Sequence, residues 1–142
     1  MQVLVVSTSS NREAVISAMK RWSIEPLCCS SLQEVRKVLP RGRSLIFCEE
    51  QLQDGTYRDL LHELARERHA QVVVISSATD LDQVHQTASA LGAFEIIASP
   101  CIPADVQWVA IRALQDAARR VRNSRRHDVD LPESHGPALP TH

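Results

Sequence analysis

Gln71-Val-Val-Val-Ile-Ser76 sets four β-branched residues in succession, Val72 to Ile75, and then stops on two serines, Ser76 and Ser77. Side chains branched at Cβ are stiff about χ1 and suit a pleated strand better than a helix. No polar residue alternates among them, so both faces of this strand should be buried, as in a parallel sheet covered by helices on two sides. Gln2–Val6 repeats the pattern, and Ser44–Cys48, Glu25–Cys29 and Phe94–Ala98 read as three further strands.

Segments of helical period separate these runs. Ser10-Asn-Arg-Glu13 has the spacing of a capping box and opens a helix carried on by Ala14, Ile16, Ala18 and Met19. Ser31-Leu-Gln-Glu34 repeats that spacing, and Pro40 should end the second helix. Tyr57, Leu60, Leu61, Leu64 and Ala65 form the stripe of a third. The fourth spans Leu81–Leu91, with Gly92 placed to cap it, and the last starts near Pro103, a favourable first-turn residue. Five β/α units joined by short connections predict a doubly wound α/β domain: five parallel strands, three layers, helices on both faces. The periodic pattern stops near Asn123, so we expect one domain over 1–122 and an unstructured tail over 123–142, rich in proline and charge.

Composition narrows the function. The chain has 142 residues and a formal net charge of -1, so nothing global attracts nucleic acid or an anionic membrane. Its longest apolar runs are strand-sized, and the amino terminus enters a strand pattern directly, which predicts neither a membrane span nor a signal peptide. Cys28, Cys29, Cys48 and Cys101 lack zinc or redox-pair spacing and are expected to be buried thiols in a reducing cytoplasm. His62, His69 and His85 do not converge at these spacings, and none of the four glycines builds a phosphate loop. No metal and no cofactor are expected.

In sheets of this kind the site lies at the carboxyl ends of the strands. Those ends are Ser7-Thr8 after Val3-Leu-Val-Val6, Glu49 in Ser44-Leu-Ile-Phe-Cys-Glu49-Glu-Gln-Leu-Gln-Asp-Gly55, Ser76, and Ser99-Pro100 in Gly92-Ala-Phe-Glu-Ile-Ile-Ala-Ser99-Pro100. In this order and spacing they resemble the CheY-like receiver domain of two-component response regulators, over roughly residues 1–120. The resemblance implies a flavodoxin-like fold with strand order 2-1-3-4-5 and a cis bond before Pro100. It also implies a phosphoacceptor pocket built from Ser7, Thr8, Glu49, Ser76, Ser99 and Pro100.

The residues that would do the chemistry are changed. An acidic pair that would help hold Mg²⁺ is replaced by Ser7 and Thr8, the acceptor Asp by Glu49, and the phosphoryl-binding Lys by Ser99. The expectation is a pseudo-receiver, not an enzyme, with a carboxylate among hydroxyls. Glu49 is then a hydroxyl-bonded loop carboxylate; the sharper alternative is a permanent imitation of phospho-aspartate acting through Ser76.

Partners are expected to be proteins of a bacterial signalling pathway. The resemblance points to the face of the fourth helix, fifth strand and fifth helix, which a second copy could also use: Gln83, Gln86, Ala90, Glu95, Ile96 and Trp108. Ile96 replaces the family's aromatic switch residue, and Trp108 is expected to anchor the core before an interface. Arg119, Arg120, Arg122, Arg125 and Arg126 form a short basic cluster without aromatic residues, so nucleic-acid contact is not expected. The alternatives are a regulator phosphorylated at a non-standard site and a regulatory subunit that reuses the fold.

Overall fold

The computed structural model describes residues 2–39, 42–67 and 69–134, with backbone alone at 121 and 123–134. In chain order the elements are β1 (Gln2–Val6), α1 (Asn11–Met19), a 3-10 turn (Lys20–Trp22), β2 (Leu27–Cys29), α2 (Leu32–Val38) and β3 (Ser44–Glu49). Then come β4 (Gln51–Leu52), β5 (Gly55–Thr56), α3 (Tyr57–Glu63), β6 (Ala70–Ser76), α4 (Leu81–Ala90), β7 (Glu95–Ala98) and α5 (Pro103–Ser134). Five strands form a parallel sheet in the order β2-β1-β3-β6-β7, and β4 and β5 make a separate antiparallel hairpin. With that hairpin set aside, this is the expected order 2-1-3-4-5.

The chain divides into two compact units, Met1–Ala110 and Ile111–His142. In the first, alternation along the strands sends side chains to two faces, and both are buried. Leu4, Val6, Ile46, Cys48, Val72 and Val74 join one core cluster with Leu32 and Val35 of α2, Tyr57, Leu60 and Leu61 of α3, and Ala88 of α4. Val3, Val5, Leu45, Phe47, Val73 and Ile75 are buried on the opposite face. The helices of that side are α1 and the first turns of α5, which bury Val15, Ala18 and Met19, and Val106, Val109 and Ala110. Gln107 donates to the Ala18 carbonyl at 3.2 Å, tying the two helices together.

Element ends differ from expectation for local reasons. β2 begins at Leu27, paired with Leu4, because Pro26 has no N–H to give the ladder. Ser10 does not cap α1: it is already helical and makes no side-chain cap bond. The cap lies one residue earlier, where the Ser9 hydroxyl accepts from the Asn11 N–H at 3.2 Å. Ser31 caps α2 as expected, accepting from Glu34 at 3.2 Å. Pro40 lies outside the described residues. Gly92 ends α4 at φ +101°, the left-handed conformation in which a Cβ is strained.

In the second unit α5 continues to Ser134, past Asn123, where an unstructured tail was expected to begin. Extending a formed helix costs far less than nucleating one, so it needs no apolar stripe to continue. The remaining tail, 135–142, lies outside the described residues. Asp116 pairs with both Arg119 (3.2 Å) and Arg120 (3.0 Å), so part of the basic cluster is neutralised within its own helix.

Candidate functional site

Four connections meet where the strands of the parallel sheet end. Glu49, the last residue of β3, pairs in register with Ile75 of β6. Its Oε2 accepts a hydrogen bond from the Ser9 hydroxyl and another, at 2.7 Å, from the side-chain amide of Asn11. The same Asn11 nitrogen donates to the Ser99 hydroxyl at 3.0 Å, and its Oδ1 accepts from the Cys101 N–H at 2.9 Å. Asn11 is itself buried, so one side chain joins the β1–α1, β3 and β7–α5 connections. Where the receiver pattern has a cation near the acceptor, this chain presents a neutral amide held at both of its atoms.

The residues expected at the acidic-pair position do less than anticipated. Ser7 is buried and its oxygen accepts from the Ser9 N–H at 3.1 Å, so it shapes the turn that delivers Ser9 and does not reach Glu49. Its carbonyl accepts from Arg12 Nε at 3.1 Å, which keeps that guanidinium out of the cleft. Thr8 is exposed, makes no side-chain hydrogen bond among the described residues and is not among the residues that line the cleft.

Ser76 is buried at the end of β6, but its partner is Glu50 and not Glu49. Its hydroxyl donates to Glu50 Oε1 at 2.7 Å, the Ser77 N–H donates to the same oxygen at 3.2 Å, and the Ala78 N–H donates to the Ser76 oxygen at 3.1 Å. The Ser76 hydroxyl has one proton, and it goes to Glu50 and not to Glu49. Ser99 donates its N–H to the Ser76 carbonyl at 2.8 Å, and the Ser99-Pro100 bond is cis, as the resemblance implies.

Asp54 is close in sequence but works elsewhere. Its carboxylate accepts from the Leu32 N–H at 2.7 Å and the Gln33 N–H at 3.1 Å, so the hairpin loop caps the start of α2. Those backbone N–H groups, led by Leu32, hold its carboxyl below the usual carboxylate range. A cleft of about 300 Å³ remains, lined by Ser9, Asn11, Glu49, Glu50, Gln51, Ile75, Ser77 and Ser99. Its lining has two carboxylates and no cationic side chain.

This donor set does not fit the Mg²⁺ that receiver chemistry uses. A hard cation needs several unengaged oxygens converging on one point. Here Glu49 Oε2 already accepts from Ser9 and Asn11, Glu50 Oε1 already accepts from Ser76 and Ser77, and no third carboxylate lines the cleft. Among the described residues no group of three His, Cys, Asp or Glu side chains could hold a metal.

Sequence reasoning missed Ser9 and Asn11 as site residues and gave Glu50 no role in the pocket. The signal for the first two was Ser9-x-Asn11 directly after β1, masked by the capping-box spacing that favoured Ser10. The residues expected at a docking face differ in exposure. Gln83, Gln86 and Ala90 are exposed on α4, whereas Ile96 is half-buried against the core cluster. Glu95 is half-buried as well, with the His85 ring 3.7 Å away and the Ile96 N–H donating to it at 3.0 Å. Trp108 is 66% exposed and does not anchor the core. The first two turns of α5, Pro103 to Ala110, can point only part of their surface inward, and Val106, Val109 and Ala110 occupy that part.

No family model and no curated protein matches the chain in sequence. Solved structures do resemble it. NtrX from Brucella abortus aligns at 23% identity and a TM-score of 0.72 over 87% of this chain, which spans 29% of that longer protein. The beryllofluoride-activated NtrC4 receiver domain dimer aligns at 18% identity and a TM-score of 0.70, covering 81% of this chain and 97% of the other. The chemotaxis response regulator CheY4 of Vibrio cholerae aligns at 17% and 0.68, covering 79% and 97%. At these identities the likeness establishes the fold: the chain has the architecture of a CheY-like response-regulator receiver domain. Among the described residues no helix is long and apolar enough to cross a membrane.

Proposed function

We propose that this chain is an atypical receiver domain that acts in bacterial signal transduction by binding protein partners, without Mg²⁺-dependent aspartyl phosphorylation and with no catalysis of its own. One observation carries the reading. The carboxylate at the acceptor position is tied down by Ser9 and Asn11, with Asn11 and Ser99 standing where phosphoryl transfer would need a cation. A phosphoryl group arriving there would meet two carboxylates and no positive charge, which is a repulsive site for an anion. The activity left to such a domain is recognition, and a cytoplasmic location among signalling proteins fits it.

Docking through α4, β7 and the first turns of α5 is supported by the exposed Trp108, since aromatic side chains dominate interface energetics. The NtrC4 receiver is described as a dimer, and a second copy of this chain is one partner that face could take. Incubating the full chain with acetyl phosphate and Mg²⁺ and weighing it intact tests the proposal. The unmodified mass is expected; a stoichiometric phosphoryl adduct overturns it in favour of a regulator phosphorylated at a non-standard site.

A further inference from the structure

We infer that Glu50, the residue after the acceptor position, is a built-in anion that permanently engages the Ser76 hydroxyl and fixes the connection from β6 to α4 in one state. The inference rests on the proposed function and deepens it, because it says how a domain without phosphorylation keeps a defined binding face. Glu49 and Glu50 are adjacent, and neighbouring side chains at a strand end leave on opposite sides. Glu49 turns to Ser9 and Asn11, and Glu50 turns to Ser76 and Ser77. The carbonyl of Glu50 accepts from the Tyr57 N–H at 3.0 Å, which anchors its backbone to the start of α3.

Ser76 is buried, its one hydroxyl proton goes to Glu50 at 2.7 Å, and its oxygen receives the Ala78 N–H at 3.1 Å. No donor remains on that hydroxyl for an incoming group. A charge-assisted bond of this kind is stronger than a neutral one, so displacing it is costly. The connection it holds leads directly to Asp80, whose carboxylate caps α4 by accepting from the Gln83 N–H at 3.1 Å. Glu50 thus supplies from within the chain the anion that the receiver pattern brings to this hydroxyl from outside.

Amide hydrogen exchange on the full chain tests this in four forms: wild type, Glu50→Ala, Ser76→Ala and the double variant. Each single substitution should speed exchange at the Ser77 and Ala78 amides about tenfold. The double should be no faster than the faster single, because both remove the same bond. Glu49→Gln should leave those two amides at the wild-type rate. Unchanged exchange in Glu50→Ala, multiplicative effects in the double, or equal acceleration by Glu49→Gln overturns the inference. If Glu50→Ala does not fold, Glu50→Asp takes its place, one methylene short of Ser76 and expected to give the same acceleration. Acetyl phosphate is absent throughout, so an adduct in the separate mass measurement would sink the proposed function while leaving this coupling to be judged on its own.

Discussion

The four cysteines show how burial separates chemically identical side chains. Cys48, beneath the site, has its thiol pushed up to about 12, chiefly by burial and secondarily by the Glu49 carboxylate. Burial also raises the thiols of Cys29 and Cys101, whereas Cys28 on the edge strand is exposed. Alkylation needs the thiolate. Iodoacetamide at pH 8 is therefore expected to add once to the native chain, at Cys28, and the other three thiols should react only on unfolding; peptide mapping checks this. Ser23 carries a second residue-scale prediction. It closes the turn after α1 at φ 56°, a left-handed conformation that costs an L-residue roughly 1 kcal/mol. Ser23→Gly should raise stability by roughly 0.5 kcal/mol, after the extra backbone entropy glycine loses, as read by urea denaturation. Neither role is visible in sequence, because exposure and φ are set by neighbours distant along the chain.

At the scale of elements, the small β4–β5 hairpin holds two helices in place. Thr56 and Asp59 form a reciprocal capping box at the start of α3, and Asp54 caps α2. Gly55 sits between them: an added Cβ would come within 2.6 Å of both Asp59 Oδ2 and Leu32 Cδ1. Gly55→Ala should destabilise the fold by roughly 1–3 kcal/mol, the usual cost of overpacking, measured as a lower denaturation midpoint with unchanged slope. Asp54 adds a pH dependence. Its carboxyl titrates lower in the folded chain than when unfolded, so its contribution is present above the unfolded value and fades as acid approaches the folded one. Asp54→Asn should flatten the acid side of the stability profile below about pH 4, the ordinary carboxylate range, and a profile still as steep would refute the assignment. Most strand and helix positions were legible in sequence from periodicity and turn residues, but the start of β2 and the far end of α5 were not. The hairpin was not, because two-residue strands carry no period.

At the scale of the whole molecule, the question is which surface binds. Truncating a core tryptophan costs about 3–5 kcal/mol, but Trp108 is 66% exposed. Trp108→Ala should therefore change stability by less than roughly 0.5 kcal/mol. If the face around it is the docking surface, self-association or partner capture should weaken at least about tenfold, as for an interface hot spot. Sedimentation of wild type and variant over a range of concentrations reads the first, and a variant that binds as well as the parent removes Trp108 from the interface.

The sequence by itself determined the architecture: the apolar runs, Gly92 and the receiver-like order of strand-end residues suffice, because strand period, turn chemistry and connection length are local properties. It also carried the expectation that metal, acceptor and cation positions are altered together, since residue identity alone settles charge. Only the tertiary structure decided which residues meet. Thr8 is exposed, Ser9 and Asn11 hold Glu49, Glu50 and not Glu49 accepts from Ser76, Asp54 serves α2, and Trp108 stays outside the core. Those outcomes depend on directions at strand ends, where a shift of one residue sends a side chain to the opposite side, and that direction is fixed by the packing of segments far apart in the chain.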